Sequence, residues 1–276
     1  MMRTIGFIGG GNMAQALLEG VLSASLFDAD KIWVSDVRTG RLQELKGQYD
    51  IHATTDNTEL TKQADSVVLS VKPQMMANVL DGIAGTLKEG VLVISIAAGI
   101  TTDAIKAKLG AVQIVRVMPN TPALVKAGAS GLYNASASQD GLKTAMDICT
   151  SVGKAIVVDN EDLIDAVTAV SGSGPAYFFL LMEEMIKAGV ELGLTEDTAK
   201  TLVLQTAKGA ALLAESAQER GEDPAVLRQK VTSPGGTTEA ALKVMDERKL
   251  GEIILKALTA ARNRGQELSN PTRPSA

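Results

Sequence analysis

Apolar residues in the first half of the chain come in short, near-continuous runs. They are Thr4-Ile5-Gly6-Phe7-Ile8, Lys31-Ile32-Trp33-Val34-Ser35, Ser66-Val67-Val68-Leu69-Ser70-Val71, Val91-Leu92-Val93-Ile94-Ser95-Ile96 and Gln113-Ile114-Val115-Arg116-Val117. Runs of this kind read as strands buried on both faces, the mark of a parallel sheet. Between them lie helical patterns near residues 12–22, 41–46, 75–87 and 102–109. Strands alternating with helices make βαβ units, and right-handed crossovers wind these into a doubly wound α/β sheet. A helix near residues 139–152 and a strand at 155–158 close this half.

From Glu161 the pattern changes and strands stop. Helical spacing recurs at residues 162–170, 175–192, 196–216, 224–231, 237–247 and 252–268. Pro175 and Pro224 suit first-turn positions, and Asp223 and Thr195 suit N-caps. The run Tyr177-Phe178-Phe179-Leu180-Leu181-Met182 is apolar around most of a helix. Such a helix needs burial on most sides, which a small all-α domain cannot supply alone. The pattern predicts residues 1–160 as one domain and 161–276 as an all-α domain whose surplus apolar face meets a second subunit. Residues 269–276 read as a tail.

The first strand ends in Gly9-Gly10-Gly11 and a helix opens at once. Gly9, Gly11 and Ala14 fit G-x-G-x-x-G/A, the dinucleotide fingerprint. Gly9 permits the tight turn, Gly11 leaves the backbone open to a pyrophosphate, and Ala14 lets helix and strand pack closely. The helix N-terminus presents free N–H groups to phosphate. Ligands of such sheets lie beyond the carboxyl ends of the strands. Found there are Ser35-Asp36-Val37-Arg38, Val71-Lys72-Pro73-Gln74, Ala97-Ala98-Gly99 and Met118-Pro119-Asn120-Thr121-Pro122. Asp36 stands where a carboxylate would accept from an adenosine ribose, which favours NAD. Arg38 could instead hold a 2′-phosphate, which favours NADP. These two residues leave the cofactor open.

Two glycine-rich turns break the helical half: Ser171-Gly172-Ser173-Gly174-Pro175, and Val231-Thr232-Ser233-Pro234-Gly235-Gly236-Thr237-Thr238-Glu239. Each opens a helix, so each offers N–H groups to an anion such as a carboxylate, or serves as an ordinary connector. The second adds the hydroxyls of Thr237 and Thr238.

Composition narrows the chemistry. Net charge is −5 and aromatics are 3%, which argues against nucleic-acid binding. The single cysteine, Cys149, and single histidine, His52, cannot build a disulfide framework or a Cys/His metal site. Cys149 reads as a small core residue and His52 as part of a turn at residues 49–55. The longest strongly apolar run, residues 91–100, is too short to span a bilayer. With no leader visible, the expected location is the cytoplasm.

Taken in order, seven motifs resemble the pyrroline-5-carboxylate reductase family. They are Gly6-Phe7-Ile8-Gly9-Gly10-Gly11-Asn12-Met13, Val71-Lys72-Pro73, Ala97-Ala98-Gly99, Met118-Pro119-Asn120-Thr121-Pro122, Asp165-Ala166-Val167-Thr168, Ser171-Gly172-Ser173-Gly174-Pro175-Ala176-Tyr177 and Ser233-Pro234-Gly235-Gly236-Thr237-Thr238. The resemblance implies a Rossmann-type doubly wound sheet followed by an all-α C-terminal dimerisation domain. It implies reduction of 1-pyrroline-5-carboxylate to L-proline, the last step of proline biosynthesis, with NADPH and NADH as candidate cofactors. It also implies a homodimer and, in many members, a ring of dimers.

Carried onto this chain, the resemblance places Ile8, Gly9, Gly10, Gly11, Asn12 and Met13 around the pyrophosphate. Ser35, Asp36 and Asn57 fall near the ribose. Val71, Lys72 and Pro73 flank the cofactor, with Asn120 on the same edge, and Ala97, Ala98 and Gly99 pass beside the nicotinamide. Substrate falls to Ser233, Gly235, the N–H groups of Gly236 and Thr237, the Thr238 hydroxyl on the ring nitrogen, and Glu161 nearby. A cyclic imine is readily protonated near neutral pH, so a chain without a usable histidine can still reduce it.

Two alternatives share the first domain. A hydroxy-acid dehydrogenase of similar layout would need a general base, for which Lys187 and Lys208 are the candidates. A dinucleotide-binding sensor would need no catalytic group.

Overall fold

The sheet is built from the predicted runs and two further strands, β3 and β7, that the apolar pattern does not announce. In the computed structural model, which describes residues 3–269, the strands are β1 (Ile5–Ile8), β2 (Ile32–Ser35), β3 (His52–Thr54), β4 (Ser66–Leu69), β5 (Leu92–Ser95), β6 (Gln113–Met118), β7 (Gly128–Asn134) and β8 (Gly153–Val157). Their spatial order is β3-β2-β1-β4-β5-β6-β7-β8. Every neighbouring pair is parallel except β6 with β7, where Arg116 faces Tyr133 and Met118 faces Gly131. The helices of this part are α1 (Asn12–Ser23), α2 (Thr39–Tyr49), α3 (Asn57–Gln63), α4 (Pro73–Ile83), α5 (Thr102–Leu109), α6 (Gln139–Thr150) and α7 (Leu163–Val167).

Period-two alternation gives each face of the sheet its own core. Ile5, Phe7, Val34, Val68, Ile94 and Val115 pack with Leu17 and Val21 of α1 and Ile148 of α6. Ile8, Val67, Leu69, Val93 and Ile114 pack with Leu60 of α3, Met76 and Leu80 of α4 and Ile105 of α5. Cys149 is buried in the first core, as its helical spacing predicts, and burial pushes its thiol up to about 12.

Three expectations about local structure are corrected. Residues 49–55 do not form only a turn: His52, Ala53 and Thr54 extend the sheet as β3, and the His52 ring stacks on Trp33 at 4.5 Å between centroids. The helix α3 that follows is not among the predicted ones, although Asp56 caps it by accepting from Thr58 N–H at 2.8 Å. The sheet is not wholly parallel, because β7, rich in small residues, returns antiparallel beside β6.

The chain divides into two compact units, Met1–Pro175 with Thr259–Ala276, and Ala176–Leu258. The last strand ends at Val157, so the change of pattern at Glu161 and the division into units fall at different places. The helices of the second half are α8 (Gly174–Glu191), α9 (Glu196–Gln218), α10 (Pro224–Lys230), α11 (Thr237–Glu247) and α12 (Leu250–Ser269). Thr195 caps α9 and Asp223 caps α10, ahead of Pro224. Residues 270–276, read as part of a tail, lie outside the described residues.

The second unit buries little. Among its described residues only Ala199, Val203 and Ala217 are buried, while Phe178 is 64% and Phe179 61% exposed. The helical segment Leu163–Glu191, bent at Ser173, is long and apolar enough to cross a membrane, a length that the run at residues 91–100 does not reach. Apolar surface of this size on a water-facing helix marks an association face.

Candidate active site

The glycine turn after β1 is fixed by its neighbours. Gly9 has φ +99°, and a Cβ there would stand 2.7 Å from the Ser70 carbonyl oxygen. Its N–H donates to the Ser35 carbonyl at 2.7 Å, and the Ser70 hydroxyl donates to the Gly9 carbonyl at 2.6 Å. The next peptide is gripped on both sides. Gly10 N–H donates to Asp36 Oδ2 at 2.9 Å, and Arg41 Nε donates to the Gly10 carbonyl at 2.7 Å.

Gly11 differs, because nothing lies within 4 Å of where its Cβ would be. It caps α1 without a side chain, and the first turn holds no acid. Asn12 and Met13 thus begin a helix whose N–H groups face open space beside a turn of fixed shape. Behind them Ile8 and Ala14 are buried in the sheet and helix packing. A dinucleotide pyrophosphate fits this arrangement: an open glycine, free N–H groups and a positive helix end.

At the end of β2 the two residues with opposed cofactor leanings are partners. Arg38 Nε donates to Asp36 Oδ1 and its Nη2 to Oδ2, both at 2.9 Å, and Arg38 N–H also reaches Oδ1 at 2.9 Å. The Asp36 side chain is 7% exposed and that of Arg38 62%. Arg38's side-chain hydrogen bonds, helped by the N–H groups of Arg38 and Gly10 and opposed by burial, hold the Asp36 carboxyl at about 2. Asp36 is therefore not a free ribose acceptor. Ser35 is fully buried and its hydroxyl donates to Asn57 Oδ1 at 2.7 Å, which joins two of the residues expected near the ribose.

Farther along the edge, Val71 is half-buried, Lys72 caps α4 and is exposed, and Pro73 fills its first turn. Ala97 is buried and Ala98 half-buried. Gly99 has φ +72°, and a Cβ there would lie 3.2 Å from the Leu268 carbonyl carbon of α12. Asn120 does not offer its side chain to a ligand. Its Oδ1 accepts from Ala129 N–H at 2.8 Å and its Nδ2 donates to the Ser171 carbonyl at 3.0 Å.

The stretch from Ser171 to Pro175 is not a turn that breaks the helices. Residues Thr168–Gly172 form a π-helical stretch between α7 and α8, with Ser173 N–H bonded to the Thr168 carbonyl at 2.8 Å. The wider π turn displaces a carbonyl from the usual ladder, and the Ser171 carbonyl is met by Asn120. At Gly172 a Cβ would come within 2.6 Å of Met118 Cε, the mobile end of a side chain that could shift to make room. Of the two readings of this stretch, anion site or ordinary connector, the Ser173 N–H bond to the Thr168 carbonyl favours the connector.

Glu161, expected near substrate, is committed elsewhere. Its Oε1 accepts from Thr102 N–H and from Arg116 Nη1, each at 2.8 Å, and its Oε2 from the Thr102 hydroxyl at 2.6 Å. Arg116 Nη2 also lies 3.8 Å from Asp165 Oδ1, and burial raises the Asp165 carboxyl despite that arginine.

The second glycine turn does open a helix. Gly235 has φ +70° and its N–H donates to Glu239 Oε2 at 2.7 Å. Gly236 N–H donates to the Ser233 carbonyl at 3.0 Å. Gly236 caps α11 with no side chain, so the turn leaves the N–H groups of Thr237 and Thr238 at the helix start. Thr237 and Ser233 are exposed and Thr238 is half-buried.

Lys187, the candidate base of the dehydrogenase alternative, is bound by Glu183 at 2.6 Å and Glu184 at 2.8 Å, which raise its pKa. A lysine held protonated is the reverse of a general base.

Sequence reasoning misses Arg116, Arg41, Ser70 and Glu239. Only Arg116 leaves a clear signal, a charge inside the strand run Ile114-Val115-Arg116-Val117.

Comparison with known proteins places this site in a family. Residues 161–268 match a family model described as pyrroline-5-carboxylate reductase dimerisation, and residues 4–99 one described as NADP oxidoreductase, coenzyme F420-dependent. A pyrroline-5-carboxylate reductase of Pseudomonas aeruginosa is 48% identical, covering 96% of this chain and 96% of that one. The structure of a pyrroline-5-carboxylate reductase from Coxiella burnetii superposes with TM-score 0.92 at 44% identity, over 98% of this chain and all (100%) of that one. A Plasmodium falciparum pyrroline carboxylate reductase, solved with NADP bound, gives TM-score 0.84 at 30% identity, over 97% and 98%. The dimerisation match covers the helices with unburied apolar faces, as a homodimer requires. With fold, fingerprint turn and helical half all in place, the chain belongs to the pyrroline-5-carboxylate reductase family and is an NAD(P)-dependent oxidoreductase of proline biosynthesis.

Proposed function

We propose that this enzyme takes NADPH in preference to NADH and binds its substrate through the turn before α11. One observation carries the reading: α1 and α11 both start without a side-chain cap, at Gly11 and Gly236. Each therefore offers N–H groups to an anion. At α1 the anion is the pyrophosphate, held by residues 8–13. At α11 it is the substrate carboxylate, held by Thr237 N–H with the Ser233 side chain nearby. The residues up to 160 serve the cofactor, and those from 161 the substrate and the dimer.

NADPH preference rests on Arg38. Its exposed guanidinium ends the strand where the adenosine ribose belongs, and its charge offsets Asp36. An arginine there suits a 2′-phosphate. The Plasmodium relative, solved with NADP, supports the same choice. NADH, which lacks the 2′-phosphate, would make no use of Arg38 and is the weaker second cofactor in this reading.

The cofactor supplies a hydride to the carbon of the C=N bond. The chain's own work is orientation. Loop residues 97–99, with Val71, Lys72 and Pro73, would hold the nicotinamide, and on the substrate side the Thr238 hydroxyl would hydrogen-bond the ring nitrogen. Holding two reactants at attack distance supplies most of such a rate enhancement. No protein acid is required, because the imine already carries its proton. Most of the apolar helix lies within the dimerisation match, which supports a dimer face over a membrane span, and this reading assigns the dimer to the cytoplasm.

The test is loss of reduced-nicotinamide absorbance with pyrroline-5-carboxylate, using each cofactor in turn. Faster turnover with NADPH is expected. Equal rates with both, or a faster rate with NADH, would overturn the cofactor assignment.

A further inference from the structure

We propose that Arg116 and Glu161 are positioning residues for hydride transfer, holding the loop of residues 96–101 in the shape that seats the nicotinamide. This rests on the reading that residues 97–99 border that ring. The loop joins β5 to α5 and is tied at three places. At its start Ile96 N–H donates to the Leu69 carbonyl at 3.1 Å. In the middle the positive-φ Gly99 lies against the backbone of Leu268. At its end both the N–H and the hydroxyl of Thr102 donate to the Glu161 carboxylate.

That last tie depends on Arg116. Its side chain is 3% exposed, and Nη1 bonds the same Glu161 oxygen that accepts Thr102 N–H. In the sheet Arg116 is registered beside Ser95, the last residue of β5. The strand that launches the loop and the helix that receives it are thus referred to one guanidinium.

The energetics argue against a purely stabilising role. A buried ion pair is often no more stabilising than apolar residues of the same volume. Here Arg116 Nε is also buried without a hydrogen-bond partner among the described residues. An apolar residue would continue the run Ile114-Val115-Val117 at lower cost. The network instead fixes geometry, and reaction rate is steeply sensitive to geometry. This also replaces the direct substrate contact expected of Glu161: its oxygens already serve three donors.

Arg116→Met would strand two carboxylates and could unfold the protein, so the test uses the far end of the chain of bonds. Thr102→Val removes one hydroxyl, and Glu161→Gln keeps one acceptor oxygen. Each should lower kcat by about tenfold, with KM for pyrroline-5-carboxylate within about twofold. The double variant should be little worse than the worse single one, because both cut the same tie. Hydrogen exchange in NADPH-loaded protein gives a readout independent of turnover: amides of residues 97–102 should exchange faster in both variants. Arg116→Lys should give exchange intermediate between the unmodified protein and these variants, since lysine keeps the charge without the planar fork. A raised substrate KM with kcat intact would return Glu161 to the substrate and overturn the proposal, as would unchanged exchange. Failure of the unmodified enzyme to turn over would instead refute the functional reading, while the exchange data would still report the tie.

Discussion

Arg38 and Asp36 are joined by two side-chain hydrogen bonds of 2.9 Å, and the same carboxylate also holds Gly10 N–H at 2.9 Å. The residue that would reject a 2′-phosphate is thereby neutralised by the residue that would bind one. It is also drawn into shaping the glycine turn after β1.

Cofactor choice should therefore respond unequally to the two side chains. Arg38→Ala removes a charged donor and should raise the KM for NADPH by about 10- to 100-fold, the worth of one or two charge-assisted hydrogen bonds. The KM for NADH should change far less. Asp36→Ser should shift preference further toward NADPH, because Arg38 is released and a negative charge removed. Steady-state kinetics with both cofactors decide it: an unchanged NADPH-to-NADH ratio in Arg38→Ala would place that guanidinium away from the ribose.

The same pair gives the fold a pH dependence whose sign is fixed. Asp36 titrates near 2 in the folded chain, below its ordinary 3.8. A lowered carboxylate pKa means that the unfolded chain binds the proton more readily, so stability falls as pH drops. The contribution is complete above the ordinary value and disappears as pH falls through about 2. Denaturant titrations of wild type and Asp36→Asn should differ near neutral pH and converge in strong acid, where carboxylates are protonated in both. Because Arg38 is largely exposed, the difference should shrink in high salt. A gap that persists at low pH would assign the effect to packing.

How far the sequence reveals such features depends on whether their cause is local. The strands β1, β2, β4, β5 and β6 are legible because two-sided burial demands continuous Val, Ile and Leu. β3 is not, being His52, Ala53 and Thr54 at the sheet edge, held by pairing with β2 and by the Trp33 stack. β7 is rich in small residues, and its direction follows from a short return after β6. The glycines after β1 can be read from the sequence, since φ and close approach are local properties. The Ser171 to Pro175 stretch misleads because glycine and proline mark turns in general. Here Gly172 lies in a π-helical stretch beside Met118, while Pro175 does sit in a helix's first turn as its position suggests. The commitments of Asp36, Asn120 and Glu161 cannot be read at all, because their partners are distant in the chain or depend on rotamers.

Gly9 and Gly11 sit two positions apart and should fail differently. Gly9→Ala puts a methyl 2.7 Å from a backbone oxygen at φ +99°, so neither rotation nor a side-chain shift relieves it. It should cost about 1–3 kcal/mol of stability, seen as a lower melting temperature. Gly11→Ala meets nothing within 4 Å and should melt like wild type. Its methyl would occupy the approach to the α1 N–H groups, so NADPH affinity should fall by an order of magnitude or more, roughly one lost phosphate contact. Calorimetry and cofactor titration of both variants separate the roles. A Gly11→Ala protein that binds NADPH normally would remove the pyrophosphate from this turn.

Thr238 tests the substrate side without touching the cofactor side. It is the second residue of α11, half-buried, and its hydroxyl can both donate to and accept from a ring nitrogen. Thr238→Val keeps the shape of the side chain and removes only the hydroxyl. Losing one orienting hydrogen bond in the transition state should lower kcat by about 10- to 100-fold, with the Kd for NADPH unchanged. Thr238→Ser should recover most of the rate, since the hydroxyl returns on a smaller side chain. If Thr238→Val instead raised the substrate KM with kcat preserved, the hydroxyl would be binding the ring without aligning it for hydride transfer. If it changed neither, the carboxylate donors at the start of α11 would carry the orientation alone.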